Sequence, residues 1–300
     1  MDSPEAEVTI DEGLVRSLVA AQHPDLAERE LVAVASGWDN TLWRLGHDLL
    51  VRLPRRAVAA PLTINEQRWL PEVAAHLPLP VPVPLRVGQP SEAYPWSWSI
   101  VPWLSGVPGN LTAITRPADA ADRLGRFLRA LHGAAPPEAP HNPFRGVPLG
   151  QRVGAFEDRL TELSSEIDAP ATRRVWDLAC GADRWAGPPL WLHGDLHPAN
   201  TLIEHGTLSG VVDFGDMCAG DPATDIAAFW MLLPTSSWPA FLDAYGELAP
   251  DTERRSLGWA VLLALMLIGI GLADRPSYAV VGRSALRRAI EHGLTPPPAR

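Results

Sequence analysis

The segment HGDLHPAN, which runs from His193 to Asn200, contains two histidines, an aspartate and an asparagine. The strand-like residues TLI, a turn at EHGT and a second strand-like run, LSGVVD, follow it and end at Asp213. A hairpin of this kind would bring Asp195, Asn200 and Asp213 together. A carboxylate can accept the proton of an attacking hydroxyl, while an amide oxygen and a second carboxylate can hold Mg²⁺ over nucleotide phosphates. These residue types therefore predict the chemistry of phosphoryl transfer.

The two histidines suggest a zinc site as an alternative. His193 and His197 are four residues apart, which is the spacing of two zinc ligands on one face of a helix. Gly194 and Pro198 disfavour a continuous helix in this segment, and a third ligand in a suitable context is lacking. The pattern therefore favours a loop over a zinc site.

The loop and the strand that follows it match two motifs in the right order. His-x-Asp-Leu-x-x-x-Asn, followed by Asp-Phe-Gly at a strand end, is the pattern of the protein-kinase catalytic loop, with Gly194 in place of arginine. HGDLHPAN, VVDFGD and DPATDIA together resemble the aminoglycoside phosphotransferase and choline-kinase-like family, which shares the protein-kinase fold. The resemblance covers most of the chain, and its specific part is residues 191–230. It implies an α+β, two-lobed fold with a small β-rich N-lobe and a larger helical C-lobe.

The resemblance also implies a role for each matching residue. Asp195 would be the catalytic base, and His193 would support its loop. Asn200 and Asp213 would bind magnesium. Asp225, in DPATDIA, would brace the loop from the next helix, or else it is an ordinary charge in the first turn of a helix.

The elements around these motifs divide the chain into two parts. Strand-like runs (ELVAVAS, NTLWRLG, DLLVRLP and SIVPW) dominate residues 1–104, with a helix predicted near 62–76 and interrupted by Pro71. From residue 105 the pattern is mostly helical, with helices predicted near 118–132, 151–166, 171–182, 223–233, 238–248, 252–272 and 278–291. We therefore expect a nucleotide-binding N-lobe over 1–104, and a C-lobe with the catalytic loop and acceptor site over 105–300.

A kinase-like N-lobe needs a basic group on its third strand and a glutamate on the next helix. Kinases generally use lysine, but all 25 basic residues of this chain are arginines. Arg52, in DLLVRLP, lies among apolar residues and would bind the α- and β-phosphates, with Arg55 and Arg56 as competitors. Glu66, in TINEQRWL, is either its partner or a solvent-exposed helix charge.

Two further stretches of the first lobe would contact the nucleotide, ATP or GTP. The turn SGWDN lacks repeated glycines, but Ser36 and nearby N–H groups could hold a phosphate, while Trp38 could simply pack. By resemblance, the strand SIVPWLSG would receive the base, through the carbonyl of Pro102 and the N–H of Leu104.

The acceptor is the least determined part of the predicted site. The candidate carboxylates for a cationic acceptor are Asp216, Asp221, Glu157 and Asp158. They would suit an aminoglycoside or a basic peptide antibiotic, although each one singly is more simply a solvated charge. The 12 tryptophans would equally suit the apolar ring of a macrolide, and choline-like, amino-sugar and homoserine-like acceptors stay open. We therefore predict a Mg²⁺-dependent small-molecule O-phosphotransferase that modifies an antibiotic and resembles the aminoglycoside phosphotransferases. The alternatives are a kinase of another small molecule (a macrolide, basic peptide antibiotic, amino alcohol or sugar) and a catalytically inactive kinase-fold binding protein.

Composition limits the partners and the location. The net charge of −10 disfavours nucleic acid as a partner. The acidic N-terminal residues lack a signal pattern, so a cytoplasmic location is expected. We also expect a monomer or a dimer. The uncharged run 257–273 could cross a membrane or form a buried core helix, and its length and glycines favour the buried helix.

Overall fold

The computed structural model describes residues 5–295, and its N-terminal part is built on an antiparallel sheet. In chain order, the elements of this part are α1 (Glu12–Gln22), β1 (Leu31–Ser36), β2 (Asn40–Leu45), β3 (Leu49–Pro54), α2 (Ala60–Ala74), β4 (Arg86–Gly88) and β5 (Trp98–Pro102). The strands pair in the order β1-β2-β3-β5-β4, so β3 lies at the centre of the sheet. The runs ELVAVAS, NTLWRLG and DLLVRLP are strands at the predicted places.

Side-chain alternation along β3 separates an apolar face from the face that carries its arginine. Successive side chains of a strand point to opposite sides of the sheet. Val51 and Leu53 are fully buried in the apolar cluster that packs against α1. Arg52 therefore lies on the opposite face, where it meets Glu66 of α2.

Helix α2 continues through Pro71, so the prediction that this proline interrupts the helix was wrong. A proline inside a helix removes one backbone hydrogen bond and crowds the preceding turn. Pro71 lies in the last turn of α2, where few further bonds depend on it. Trp69 and Leu70 are buried beside it, and their packing offsets the loss.

The C-terminal part is mostly helical, with two small β elements. Its helices are α3 (Pro117–Leu131), α4 (Val153–Glu162), α5 (Ala169–Cys180), α6 (Ala223–Leu232), α7 (Trp238–Tyr245), α8 (Pro250–Ala273) and α9 (Pro276–Gly293). Its strands are β6 (Val107–Pro108), β7 (Leu190–Leu192), β8 (Thr201–Glu204), β9 (Thr207–Val211) and β10 (Cys218–Gly220). Strands β6, β8 and β9 form one antiparallel sheet, and β7 pairs with β10. The hairpin β8–β9 is the one that the sequence predicted after the catalytic loop.

Helix α8 contains the apolar run 257–273. By length and composition alone it could cross a membrane, but 78% of its most apolar window is buried inside the protein. It packs against α9, α6, α5 and α4. Gly271 allows the close approach of α9, because a Cβ there would lie 2.1 Å from the backbone nitrogen of Ala279. Within the protein, α8 is thus a core helix of the C-terminal part.

Apolar contacts extend across the predicted lobe boundary. Trp69 and Leu70 of α2, with Leu79 and Val81 after it, belong to the large cluster formed by the C-terminal helices. One face of α2 therefore supports Glu66 while another packs against the second part. The boundary at residue 104 stays a prediction.

Candidate active site

The catalytic-loop segment begins directly after β7 and is hydrogen-bonded to Asp225, in the first turn of α6. The Asp225 carboxylate accepts the backbone N–H of His193 at 2.7 Å and that of Gly194 at 2.9 Å. Asp225 is fully buried, and His132 lies 3.4 Å from one of its oxygens. Of the two interpretations of Asp225, the geometry is that of a brace for the loop.

His193 lies inside the loop and does not point at a solvent-filled cavity. Its Nε2 lies 3.0 Å from the carbonyl of Val212, so Nε2 carries the hydrogen. Its Nδ1 accepts the backbone N–H of Asp195 at 3.2 Å. The ring also packs against Phe214, with 4.6 Å between the ring centroids. His193 therefore joins the loop to the end of the hairpin. Within residues 5–295, no group of three or more His, Cys, Asp or Glu side chains could hold a metal such as zinc.

Gly194 occupies the position where protein kinases have arginine, and the backbone explains the difference. Its φ is +85°, and a Cβ there would lie 2.4 Å from the carbonyl oxygen of Asp216. A side chain at this position would need both a left-handed backbone and the displacement of a neighbouring segment.

We expect Gly194→Ala to lower both the free energy of unfolding and kcat. The left-handed backbone alone costs about 1–2 kcal/mol for a non-glycine residue, and the contact with Asp216 adds to it. Urea unfolding and steady-state kinetics measure the two effects. Gly154→Ala on α4 is the matched control, because nothing lies within 4 Å of its added Cβ. Equal stability of the two variants would contradict the strained geometry of the loop.

Three side chains contact the Asp195 carboxylate, those of Arg145, His197 and Asn200. Oδ1 accepts from Arg145 Nη2 at 2.8 Å, and Oδ2 lies 3.3 Å from His197 Nε2. His197 Nδ1 accepts the N–H of Ala199, which leaves the hydrogen of the neutral ring on Nε2. Burial opposes ionisation of Asp195, but the charge of Arg145 and the hydrogen bond from His197 outweigh it and hold its pKa below the usual range. Asp195 is therefore an ionised carboxylate at neutral pH.

Asn200 and Asp213 lie at the same end of the β8–β9 hairpin, where the Val212 N–H donates to the Asn200 carbonyl at 2.9 Å. The Asn200 amide nitrogen donates to the backbone carbonyl of Asp195 at 2.9 Å, which turns the amide oxygen away from the loop. Asp213 has a left-handed backbone, with φ 65° and ψ 68°, and its side chain is 54% exposed. An amide oxygen and an exposed carboxylate fit a hard cation such as Mg²⁺ that takes its other ligands from phosphate and water.

The three arginines Arg52, Arg55 and Arg56 have different partners. Arg52 forms a buried ion pair with Glu66 and also donates to Asp213 Oδ1 at 3.1 Å. Burial opposes its charge, but the carboxylates of Glu66 and Asp213 outweigh this and raise the pKa of Arg52. Arg55 instead donates to the carbonyl of Gly37, and Arg56 pairs with Asp39. Of the three, Arg52 alone reaches the predicted metal side of the site.

The predicted contacts of the base and the phosphates lie at two edges of the N-terminal sheet. The Trp103 N–H donates to Asp48 at 2.8 Å, on the β3 side of β5. By alternation, the carbonyl of Pro102 and the N–H of Leu104 point to the other side, beyond the end of β4. Ser36 ends β1, and its hydroxyl lies 3.4 Å from that of Thr41.

Most of this chain matches a known protein family. Residues 30–258 match the phosphotransferase enzyme family. The chain belongs to this phosphotransferase family. The predicted family and its α+β, kinase-like fold are thereby confirmed, and the family comprises small-molecule kinases.

Solved structures of two kinds of phosphotransferase are similar to this chain. The GDP complex of wild-type aminoglycoside 2′-phosphotransferase-IIIa is 17% identical, with a TM-score of 0.63, and the match covers 94% of this chain and 99% of that one. Macrolide 2′-phosphotransferase MphH from Brachybacterium faecium is 26% identical, with a TM-score of 0.57 and coverage of 97% and 100%. Curated homoserine kinases from Pseudomonas aeruginosa are 29% identical over 166 residues. The chain spans about half the length of these curated relatives, 52%.

The four candidate acceptor carboxylates of this phosphotransferase-family chain do not come together. Asp221 is buried, and both its oxygens pair with Arg255. Both oxygens of Glu157 pair with Arg173, and Asp158 is exposed on α4. Asp221 and Glu157 each already neutralise an arginine, so neither carboxylate offers an unpaired negative charge to a cationic acceptor.

Asp216 is the candidate carboxylate that adjoins the catalytic loop. It accepts from the Asn142 amide at 2.7 Å. Burial, followed by repulsion from Asp195, raises the pKa of Asp216. Its negative charge is thus disfavoured, which weakens it as a binding group for a cation.

Sequence reasoning missed Arg145 and Asn142, and did not assign His197 a contact with the base. His197 is two residues from Asp195 within the motif, so its proximity could have been inferred. Arg145 and Asn142 lie in the proline-rich segment before α4, where no local pattern indicates their partners. Their contacts with Asp195 and Asp216 depend on the path of that segment through the fold.

Proposed function

We propose that this chain transfers the γ-phosphate of ATP or GTP to a hydroxyl of a small-molecule antibiotic, in a Mg²⁺-dependent reaction. The observation that carries the proposal is that the Asp195 carboxylate lies 3.4 Å from the Asn200 amide, at the hairpin end that also carries Asp213. Residues of those three types, in that order, supply what phosphoryl transfer requires. A cytoplasmic location and a monomeric or dimeric state accompany this proposal as predictions.

In the proposed reaction, Asp195 accepts the proton of the acceptor hydroxyl while the new oxygen–phosphorus bond forms and the nucleoside diphosphate leaves. Arg52 would bind the α- and β-phosphates, since its guanidinium lies next to Asp213 and is held by Glu66. Mg²⁺, when held by Asn200 and Asp213, would supply positive charge to the phosphate oxygens. Pro102 and Leu104 would receive the base, and Ser36 would contact a phosphate.

Phe144, which precedes Arg145 in the chain, offers an exposed aromatic ring to an acceptor. Phe144 is 57% exposed, and the Arg152 guanidinium lies 5.1 Å from its ring centroid. An exposed aromatic ring beside positive charge suits a large apolar ring that carries hydroxyls. We therefore propose a macrolide-like acceptor, which the full-length similarity to MphH also supports.

Two other acceptor classes have separate support. The aminoglycoside phosphotransferases share the fold of this chain, so an aminoglycoside is the first alternative acceptor. The similarity to homoserine kinases supports a small amino alcohol, which would need a tighter acceptor site.

Coupled measurement of nucleotide turnover tests the proposal. ATP and GTP would be tried with Mg²⁺ against macrolides, aminoglycosides, basic peptide antibiotics, homoserine and choline, with Asp195→Asn in parallel. Turnover of macrolides that disappears in the variant and after chelation with EDTA is the expected result. Turnover of another class alone would contradict the acceptor. Nucleotide binding without turnover of any acceptor would favour a kinase-fold binding protein.

Replacement of Arg52 separates nucleotide binding from stability. We expect Arg52→Met to raise the nucleotide KM and to lower stability by about 3–5 kcal/mol, because Glu66 is left buried and unpaired. Arg52→Met with Glu66→Met should regain most of the stability, since no buried charge remains, but not the nucleotide affinity. Titration calorimetry and urea unfolding measure the two quantities. Normal nucleotide affinity in the double variant would exclude Arg52 as a phosphate ligand.

A further inference from the structure

Arg145 enters the site from the proline-rich segment between α3 and α4. Its side chain is 9% exposed, and its guanidinium donates to Asp195 Oδ1 at 2.8 Å. The contact joins residues that are 50 positions apart in the chain. Because Gly194 leaves no side chain at the position of the kinase arginine, the cation beside this base comes from a separate segment.

The segment that carries Arg145 is anchored on both sides of it. Upstream, Asn142 donates to Asp216 at 2.7 Å. Downstream, the Gly146 N–H donates to the Thr224 hydroxyl at 3.2 Å, and the Gly146 carbonyl accepts from the backbone of Asp221 at 3.0 Å. Gly146 has a φ of +67°, and an added Cβ would lie 2.8 Å from a methyl carbon of Leu192. The backbone at residue 145 is therefore held at a defined position relative to the catalytic loop.

The donors of Arg145 serve Asp195 more than they serve the fold. A buried arginine that only supports structure has most of its N–H groups hydrogen-bonded. Within residues 5–295, Arg145 Nε has no hydrogen-bond partner, and Nη1 has a 3.5 Å contact with the carbonyl of Phe144. The short bond of this guanidinium is the one to Asp195.

The two oxygens of Asp195 differ because of this bond. Oδ1 has the 2.8 Å bond to Arg145, whereas the contacts of Oδ2 with His197 and Asn200 are 3.3 Å and 3.4 Å. A strongly held Oδ1 fixes the plane of the carboxylate and leaves Oδ2 as the less engaged oxygen. Oδ2 is then the atom that would receive the proton of the acceptor hydroxyl.

We propose that Arg145 is a positioning residue for phosphoryl transfer, which holds the Asp195 carboxylate so that Oδ2 faces the acceptor hydroxyl. This inference rests on the proposed function. It assigns to the segment before α4 a task in the reaction, which is to hold the base rather than to bind the acceptor or the nucleotide. Loss of the guanidinium should therefore affect kcat rather than substrate binding.

Steady-state kinetics of Arg145→Met and Arg145→Lys test the inference. We expect Arg145→Met to lower kcat about 10–100-fold, a part of what a positioned base contributes, with the nucleotide KM changed less than about twofold. Arg145→Lys should recover part of kcat, because an ammonium group can still bond Oδ1. Unchanged kcat in Arg145→Met, or a rise in nucleotide KM alone, would overturn the proposal.

Arg288→Met is the matched control, because Arg288 is also partly buried and it donates to the backbone carbonyls of Trp230 and Met231, at the C-terminal end of α6. The control variant should lower the thermal unfolding temperature as Arg145→Met does. Its kcat per folded molecule should change less than about threefold, because substitutions at distant sites without shared partners have independent effects. A similar kcat loss in both variants would mean that Arg145 acts through stability, and would overturn the inference.

A double-mutant cycle, measured by thermal unfolding, separates failure of this inference from failure of the proposed function. If turnover is lost in Asp195→Asn, the base assignment stands, and kcat of Arg145→Met then decides the inference alone. Whatever the acceptor proves to be, the unfolding temperatures of Arg145→Met, Asp195→Asn and the double variant measure the coupling of the pair. We expect the double variant to lose less than the sum of the single losses, and additive losses would overturn the proposal.

Discussion

Replacement of Asp195 by asparagine is expected to lower kcat by about 10²–10⁴-fold, the contribution of a positioned general base. Asparagine keeps the shape of the side chain, so the loop and the nucleotide contacts should persist. Its amide cannot take the proton of the acceptor hydroxyl. Coupled turnover gives kcat, and titration calorimetry gives the nucleotide affinity, which should change less than about threefold because only the transition state loses an interaction.

Asp243→Asn on α7 is the control for this substitution, because Asp243 is an exposed aspartate outside the catalytic loop and the candidate acceptor residues. It should keep wild-type kcat. Full activity in Asp195→Asn would show that Asp195 is not the base, and a large loss of nucleotide affinity would mean that it binds the donor instead.

Replacement of Asp225 by alanine should have the largest effect on stability. The buried carboxylate accepts two backbone N–H groups of the catalytic loop, at 2.7 Å from His193 and 2.9 Å from Gly194. Alanine would leave both donors unpaired in the interior, and we expect a loss of about 3–5 kcal/mol. The catalytic loop would also lose its support, so kcat should fall in the molecules that remain folded.

Urea unfolding and turnover at low temperature measure these two effects of Asp225→Ala. Asp122→Ala on α3 is the control, because Asp122 forms an exposed ion pair with Arg126. The stability change of that control should stay within about 0.5 kcal/mol, as at other surface sites. Equal stability of the two variants would contradict the role of Asp225 as the brace of the loop.

The local motifs determined the family, the fold class and the identity of the core of the site. HGDLHPAN and VVDFGD flank one hairpin, and a hairpin brings together residues that are close in the chain. Asp195, Asn200 and Asp213 could therefore be predicted as neighbours from spacing alone. The strands of the N-terminal sheet were equally predictable, because the pattern of apolar residues along a strand is a local signal. Pro71 was the exception, since tertiary packing allowed α2 to continue through it.

The partners of charged side chains were decided only by the tertiary structure. The sequence preferred Arg52 to Arg55 but left Glu66 either as its partner or as a solvent-exposed charge, and only the packed structure buries the two as a pair. Spacing also could not show that Asp221 is already paired with Arg255, or that Arg145 reaches Asp195. A charge pairs with whichever opposite charge the packed chain brings within a few ångströms, and that neighbour is often tens of residues away. The sequence thus determines which chemistry is available, and the packing determines which side chains are free to take part in it.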